Sequence, residues 1–436
     1  MKLSGGKIAS LGIQHVLAMY AGAVIVPLIV GGSLGLTAEQ LTYLVSVDIF
    51  MCGVATILQV WKNRFFGIGL PVVLGCTFTA VAPMIEIGNQ YGIPSIYGAI
   101  LVSGAVVLLI AKHFSKLIKF FPPVVTGSVV TIIGVTLIPV AVGNMAGGEG
   151  SPDYGSPENI LLSFGTLLLI LAIFRFFKGF VRSIAILLGL IAGTAAASFF
   201  GKVDFSAVRE ADVFQVAQPF YFGLPEFHLA PILMMTIVAV VSLVESTGVY
   251  FALGDICDKR LDDRDLTRGY RSEGIAILLG GIVNSFPYTT FSQNVGLIQL
   301  SGVKSRNVIY TAGAFLIALG SVPKLGALTT IIPASVLGGA MMAMFGMVIA
   351  YGIKMLSTVD FSKQENLLVM ACSIGMGLGV TVAPDLFERL PGALQIITSN
   401  GIVIGSLTAI LLNLIFNLTR GKGMEAQLAA ENVPAK

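Results

Sequence analysis

Long apolar stretches recur along the chain, separated by short clusters of charged residues or by glycine and proline. About 20 apolar residues are needed for a helix to cross a hydrocarbon core about 30 Å thick. The pattern therefore predicts an all-α polytopic membrane protein with fourteen transmembrane segments. Their expected positions are 9–31, 40–60, 67–84, 95–111, 122–142, 159–174, 183–200, 230–253, 272–286, 288–302, 307–322, 326–352, 364–381 and 400–418.

The distribution of lysine and arginine supports both the number of segments and their orientation. If the N-terminus is cytoplasmic, 22 of the 26 basic residues fall on the cytoplasmic side, as the positive-inside rule requires. One missed or additional span would exchange the two sides for every later loop. We therefore expect a multi-pass protein of the cytoplasmic (inner) membrane with both termini in the cytoplasm.

Two segments, residues 69–83 and 284–302, are short and interrupted by proline and glycine. They belong to spans 3 and 10, and each has turn-forming and β-branched residues in its first half and a more helical second half. We predict two broken helices with short strands. Non-helical backbone at membrane depth is tolerated only where it is buried in protein or lines a cavity, so a binding cavity is expected there. A pair of proline-kinked structural helices is the alternative.

The interrupted segments also relate the two halves of the chain. An offset of 213 residues aligns Thr77-Phe78 with Thr290-Phe291 and Ile96-Tyr97 with Ile309-Tyr310. Seven spans per half predict two inverted repeats, with a substrate site where the broken segments meet. The expected division is a first repeat at 1–200, an extracellular linker at 201–229, a second repeat at 230–418 and a cytoplasmic tail at 419–436.

Composition narrows the class of function. Charged residues make up 11% of the chain, against about 25% in soluble domains. The four cysteines have no paired spacing, so neither a disulfide framework nor a metal site is expected. The GxxxxGK[ST] loop of nucleotide hydrolysis and the HExxH motif of metallohydrolases do not occur in the sequence. We expect neither an enzyme nor a cofactor, and nucleic acid is not indicated. Transport would draw on an ion gradient.

Ionisable residues within the predicted spans include Asp48, Glu245, Glu273 and His15. A carboxylate at a helix centre costs about 2.5–3.5 kcal/mol on insertion scales, so each needs a partner or a function. Glu245, deep in the eighth span, is the strongest functional candidate. Glu273 either caps the ninth span or couples transport, and Asp48 is interpreted as a structural hydrogen-bonding group. His15 is expected to bond another span, with a proton-relay role as the alternative.

The segment QNVGLIQLSG at 293–302 resembles the signature of the nucleobase–ascorbate transporters, also called nucleobase:cation symporter-2. That pattern, [Q/E/P]-N-x-G-x(4)-[TS]-x, is matched by Gln293, Asn294, Gly296 and Ser301. Further segments resemble the family in the same order, so the resemblance covers essentially the whole chain. They are Gln14-His15, GCTFTAV at 75–81, VESTGVYFALGD at 244–255 and RSEGIAILLGGIVNSFPYTTFSQNVG at 271–296. The bacterial xanthine/uric acid permease branch is the most similar.

The resemblance implies a core domain and a gate domain that move against each other in an elevator-like cycle. The core would comprise spans 1–4 (9–111) and 8–11 (230–322), and the gate spans 5–7 (122–200) and 12–14 (326–418). It also implies that the substrate binds between the broken helices and that the protein forms a homodimer.

The resemblance further assigns roles to individual residues. Glu245 and Gln293 would hydrogen-bond the nucleobase, Phe78 would stack on its ring, and Thr77 and Phe291 would complete the site. Asn294, Glu273 and His15 would form the coupling or structural network. One departure is Val249, which stands where some xanthine members carry a second acidic residue.

These residues imply uptake of xanthine, with uric acid as the second candidate, by cation symport. Gln293 favours a purine because an amide offers a donor and an acceptor, whereas uracil-type members tend to carry glutamate there. A proton is the expected coupling ion, and sodium is the alternative. Two further hypotheses are a uracil permease and an anion transporter of the same architecture, although Glu245 disfavours an anion by repulsion. A membrane-embedded enzyme is a more distant third.

Overall fold

A computed structural model describes residues 4–117, 121–391, 394–395 and 398–418. The predicted tail at 419–436 lies outside these residues. In chain order the elements are α1 (Gly5–Ser33), α2 (Ala38–Val60), β1 (Leu74–Cys76), α3 (Val81–Tyr91), α4 (Ile93–Leu117), α5 (Pro123–Met145), α6 (Pro157–Phe176), α7 (Gly179–Ser183), α8 (Ala185–Phe199), α9 (Ser206–Glu210), α10 (Leu229–Ile256), α11 (Asp263–Ile282), β2 (Tyr288–Thr290), α12 (Ser292–Ser301), α13 (Arg306–Gly320), α14 (Pro323–Thr330), α15 (Ala334–Leu356), α16 (Gln364–Val382) and α17 (Gly401–Asn413).

The fold is that of a helical polytopic membrane protein, as predicted. Within the described residues, eight helices are long and apolar enough to cross a membrane: α1, α2, α4, α5, α6, α10, α15 and α16. The predicted third and tenth spans each consist of a short strand followed by a short helix, β1 with α3 and β2 with α12. The helices α8 and α17 are apolar but shorter.

The chain divides into two compact units. One contains the residues up to Ser115 together with Leu137–Phe345, and the other contains Lys116–Thr136 and the residues from Gly346 onward. Within the second unit, α16 packs against α17. Both strands and all the predicted site residues lie in the first unit.

The two strands pair with each other in the antiparallel direction, with Leu74 opposite Thr290 and Cys76 opposite Tyr288. Backbone hydrogen bonds extend the pair at both ends, from Thr77 N to the Pro287 carbonyl (3.0 Å) and from Phe291 N to the Val73 carbonyl (2.9 Å). Pro287 disfavours helical backbone at Phe286, the residue before it, which is one reason why the chain is extended as it enters β2. The short strands predicted for spans 3 and 10 are therefore confirmed.

Hydroxyl groups of neighbouring helices satisfy the outer edges of this two-stranded sheet. Thr56 of α2 accepts from Leu74 N at 3.0 Å and donates to the Leu74 carbonyl at 3.3 Å. On the other edge, Ser246 Oγ of α10 accepts from Thr290 N at 3.3 Å. An unpaired backbone group at membrane depth would be costly, so these two hydroxyls allow an open sheet to persist inside the protein.

The predicted start of the ninth span at 272 is wrong, because α11 begins nine residues earlier, at Asp263. Asp262 caps the helix by accepting from Asp265 N at 2.7 Å. The second half of the predicted cytoplasmic linker, 255–272, is therefore helical. Glu273 lies inside α11 rather than at its end, so the interpretation of Glu273 as a helix cap is also wrong.

The predicted twelfth span at 326–352 is interrupted. The structure has α14 and α15 there, with Pro333 immediately before α15. Proline has no backbone N–H and disfavours a helical conformation at Ile332, which explains the break. A second bend, of 78°, separates α13 from α14, and α14 packs against α2 and α9.

Candidate functional site

The sequence-predicted site residues gather around the paired strands. Thr77 and Phe78 follow β1 directly, and Phe291 and Gln293 follow β2. Because the strands are antiparallel, the short helices after them begin at opposite ends of the pair. A helix N-terminus carries a partial positive charge and free N–H groups. The pair of strands is therefore flanked by two helix ends suited to carbonyl or anionic groups.

Phe78 is half-buried and fixed on one side. Its ring meets the ring of Phe345 edge to face, with centroids 5.8 Å apart, and Phe345 is fully buried. Phe78 therefore presents part of an immobilised aromatic ring, which is a suitable surface for a planar ligand.

Gln293 lies in the first turn of α12 and is half-buried. The residue before this helix, Phe291, provides no side-chain cap for it. The amide of Gln293 can both donate and accept hydrogen bonds. Together with the uncapped backbone N–H groups, this amide gives the start of α12 both hydrogen-bond donors and an acceptor.

Thr77 lies in the predicted place, but its hydroxyl is already engaged. The side chain is fully buried, accepts from Thr79 N at 3.2 Å and lies 3.4 Å from Ser242 Oγ. These contacts cap the 3₁₀ turn Phe78–Ala80. In this structure Thr77 holds the turn that carries Phe78.

Phe291 is a packing residue in this structure, since only 4% of it is exposed. Its ring lies over Gly75 of β1 and beside Gly22 of α1, where an added methyl group would lie 2.7 Å from Phe291 Cε1. The two glycines let the ring pass between the strand and the helix. The ring therefore anchors the start of α12 against α1.

Glu245 of α10 stands next to Ser246, the residue that bonds β2. It is half-buried, and no described residue forms a hydrogen bond with its carboxylate. A carboxylate without a partner inside a membrane helix costs about 2.5–3.5 kcal/mol on insertion scales. The Glu245 carboxylate is therefore free of described hydrogen bonds and can accept them from a ligand.

Glu273 of α11 is fully buried and accepts a hydrogen bond from the hydroxyl of Tyr250 on α10. Its second oxygen, Oε2, has no hydrogen-bond partner among the described residues. Glu273 lies within electrostatic range of Glu245. The structure thus brings the two predicted carboxylates into one region.

His15 and Asn294 are in direct contact. Asn294 Nδ2 donates to the His15 carbonyl at 3.0 Å and lies 3.1 Å from His15 Nδ1. Both side chains are buried. The pair joins α12 to α1, so these two residues hold the start of α12 in position.

Asp48 of α2 is fully buried and bound by hydroxyl groups. Tyr288 Oη donates to Asp48 Oδ1 at 3.0 Å and Ser285 Oγ donates to the same atom at 3.3 Å. Asp48 therefore lies among hydrogen-bonding groups in the structure, which agrees with its interpretation as a structural hydrogen-bonding residue.

Sequence reasoning missed several polar residues that hold the site: Thr56, Gln59, Ser242, Ser246 and Tyr250. Each is buried and hydrogen-bonded within an apolar helix. The available signal was their position in otherwise apolar spans, but single hydroxyls are common there and do not by themselves indicate a site. Within the described ranges, no group of three His, Cys, Asp or Glu residues is placed to hold a metal ion.

Comparisons with known proteins agree on one class. A sequence model described as "Permease family" matches residues 6–386. The chain is 64% identical over 428 residues to the xanthine permease of Bacillus subtilis (strain 168), covering 98% of each protein. It is 64% identical over 406 residues to the uric acid permease PucK of the same organism, covering 93% of this chain and 94% of that protein.

A solved structure shares the fold. It is the transmembrane domain of the cyanobacterial bicarbonate transporter BicA, with a TM-score of 0.64 over 90% of this chain and 99% of that one. The sequences are 14% identical. At that identity the likeness concerns the fold alone.

Proposed function

This chain belongs to the permease family, and we propose that it takes up xanthine, with uric acid as the second candidate, together with a proton. Two relatives that are 64% identical, the xanthine permease and the uric acid permease of Bacillus subtilis, support a nucleobase substrate. The structural observation that carries the proposal is the position of Glu245, without a partner among the described residues, beside the strands that lead to Phe78 and Gln293.

The proposed contacts follow from the chemistry of an oxidised purine, which is a planar ring with N–H donors and carbonyl acceptors. The Glu245 carboxylate accepts from a ring N–H, and the Gln293 amide pairs with a neighbouring donor and acceptor. Phe78 stacks on the ring. The uncapped N–H groups at the start of α12 donate to a ring carbonyl. Thr77 and Phe291 position these groups.

The proposed coupling ion is a proton carried by Glu273 and Glu245. A proton can drive uptake only if it binds the outward-facing and inward-facing states with different affinity. A buried carboxylate near the substrate group provides a place for such a difference. Sodium is the alternative ion, and it would need several oxygen ligands from the non-helical backbone.

The proposed architecture has fourteen spans in two inverted repeats of seven. A core domain of residues 9–111 and 230–322 would move against a gate domain of residues 122–200 and 326–418, as an elevator. The proposal places the protein in the cytoplasmic membrane as a homodimer with both termini in the cytoplasm. The shared fold with a transporter domain supports the proposed architecture. Fluorescence of a C-terminal green fluorescent protein fusion tests whether the C-terminus lies in the cytoplasm.

The test is uptake of radiolabelled xanthine by cells that lack their own purine permeases. Unlabelled urate, uracil and sulfate serve as competitors, and parallel samples contain a protonophore or lack sodium. We expect uptake that the protonophore abolishes, that sodium removal leaves intact and that uracil and sulfate do not inhibit. The potency of urate then ranks the two purines.

The proposal fails if the protein is in the membrane and neither xanthine nor urate enters. Inhibition by uracil would favour a pyrimidine substrate, and inhibition by sulfate would favour an anion transporter. Loss of uptake on sodium removal would mean that sodium, rather than a proton, is the coupling ion.

A further inference from the structure

A chain of buried hydrogen bonds joins three helices beside the candidate site. The amide Nε2 of Gln59, on α2, donates to the hydroxyl of Tyr250, on α10, and to the carbonyl of Gly269 at 3.2 Å. The Tyr250 hydroxyl in turn donates to Oε1 of Glu273, on α11. Gln59, Tyr250 and Glu273 are each fully buried.

The direction of this chain follows from the number of protons available. A tyrosine hydroxyl has one proton to donate. Because the Gln59 amide donates to the Tyr250 oxygen, the hydroxyl proton is left to point at Glu273. The Gly269 carbonyl holds the Gln59 amide in the required orientation. The arrangement is therefore a fixed donor aimed at one carboxylate oxygen.

The two oxygens of Glu273 consequently differ. Oε1 is occupied by Tyr250, whereas Oε2 has no hydrogen-bond partner among the described residues. A hydrogen bond donated to a carboxylate favours its charged form. Among the described contacts, Oε2 is therefore the less engaged oxygen of Glu273 and the one more open to a proton.

We infer that Tyr250, oriented by Gln59, is a positioning residue for the coupling proton, because it holds Oε1 of Glu273 and leaves Oε2 as the atom that takes up and releases the proton. The inference rests on the proposed proton-coupled uptake and adds to it the residues that make release favourable. Without the tyrosine donor, the ionised carboxylate would be poorly stabilised in a buried site and the proton would stay bound.

The position of Ser246 connects this carboxylate to the substrate side. Its hydroxyl lies near the Glu273 carboxylate. It also accepts from Thr290 N at 3.3 Å and lies 3.0 Å from Thr289 Oγ1 on β2. The same hydroxyl bonds the strand that leads to Gln293. Besides Tyr250, the described titratable groups within electrostatic range of Glu273 are Glu245 and Tyr270.

The first test needs no transport. In purified protein, the infrared carbonyl band of protonated Glu273, assigned by its absence in Glu273→Gln, is followed as a function of pH. Tyr250→Phe removes only the hydroxyl, and we expect the midpoint of the band to move to higher pH by about one unit or more. Gln59→Leu should move it in the same direction by less, because Tyr250 can then turn away.

The matched control is Tyr270→Phe. Tyr270 is another fully buried tyrosine of the same region, but its hydroxyl bonds Thr247 Oγ1 at 2.6 Å instead of Glu273. We expect this variant to leave the midpoint where the wild-type protein has it. An equal shift in both variants, or no shift in Tyr250→Phe, would overturn the inference.

The second test separates the inference from the proposed function. In cells, Tyr250→Phe should lower proton-driven accumulation of xanthine by about tenfold, the effect of one pH unit on proton release. Exchange of internal for external xanthine needs no net proton release and should stay within about twofold of wild type. Equal loss of both activities would contradict a role in coupling. Failure of the proposed function would instead appear in the wild-type protein, and the infrared result would still decide the inference.

Discussion

Asn294 of α12 donates its amide to the backbone carbonyl of His15 on α1, at 3.0 Å. The same nitrogen lies 3.1 Å from His15 Nδ1. The stronger constraint is thus on the backbone of α1, which no substitution at position 15 removes. The contact fixes the first turn of α12, where the neighbouring Gln293 lies.

Asn294→Asp should therefore damage uptake more than His15→Ala does. Aspartate puts an acceptor opposite the His15 carbonyl, leaving two buried acceptors facing each other, whereas His15→Ala keeps the carbonyl bond. We expect roughly a tenfold or greater loss of xanthine uptake for Asn294→Asp, the effect of about 1.4 kcal/mol or more. His15→Ala should lose less, at equal membrane levels measured by immunoblot. A His15→Ala variant as inactive as Asn294→Asp would indicate a direct role for the imidazole.

Gly22→Ala should destabilise the protein although alanine favours a helix by about 1 kcal/mol over glycine. The added methyl group would lie 2.7 Å from the Phe291 ring, and overpacking a buried contact costs about 1–3 kcal/mol. The control is Gly165→Ala on α6, where an added methyl group meets no atom within 4 Å. We expect a lower melting temperature in detergent for Gly22→Ala and an equal or higher one for Gly165→Ala. Equal melting temperatures would show that Phe291 moves freely.

Gln293→Glu should weaken recognition of the purine. Glutamate keeps the length of the side chain but replaces the amide donor with a second acceptor. We expect the apparent KM for xanthine to rise by about tenfold, since a hydrogen-bond donor to the purine is lost. Gln299→Glu makes the same chemical change on an exposed face of α12 and should leave KM unchanged. An unaltered KM in Gln293→Glu would remove this residue from the proposed site.

Asp48→Ala should lower stability because the hydroxyls of Tyr288 and Ser285 can then bond only each other, which leaves one of the two donors without an acceptor. An unsatisfied buried polar group costs about 1–3 kcal/mol. Asp48→Asn keeps an acceptor oxygen and should be milder. The measurement is thermal unfolding in detergent combined with uptake. If Asp48→Asn unfolds like wild type but no longer accumulates xanthine, Asp48 belongs to the coupling network rather than to the structural support of β2.

Several features of the fold could be predicted from local sequence. The apolar stretches determine a helical membrane protein, because the hydrocarbon core sets the length of a spanning helix. The prolines and glycines in 69–83 and 284–302 locate the two interruptions, because their effect on the backbone is local. Two errors were also local in origin. The cap at Asp262 and the break at Pro333 are helix start and stop signals that the sequence contains, and at these two places they outweigh the length of the apolar stretch.

The candidate site was predictable only in part. The sequence identifies Glu245 and Gln293 as polar residues in apolar surroundings, and the order of motifs associates them with Phe78 and Asn294. It does not show that the hydroxyl of Thr77 caps its own turn or that Phe291 packs against Gly22. These outcomes depend on which neighbouring groups compete for each side chain.

By itself, then, the sequence determined the membrane-spanning class, the two breaks and the identity of the polar residues near them, because these follow from the length and chemistry of contiguous residues. Only the tertiary structure decided the register of β1 against β2 and the chain from Gln59 through Tyr250 to Glu273. Those contacts join residues far apart in sequence. Their geometry is set by the packing of α2, α10 and α11, for which no local pattern exists.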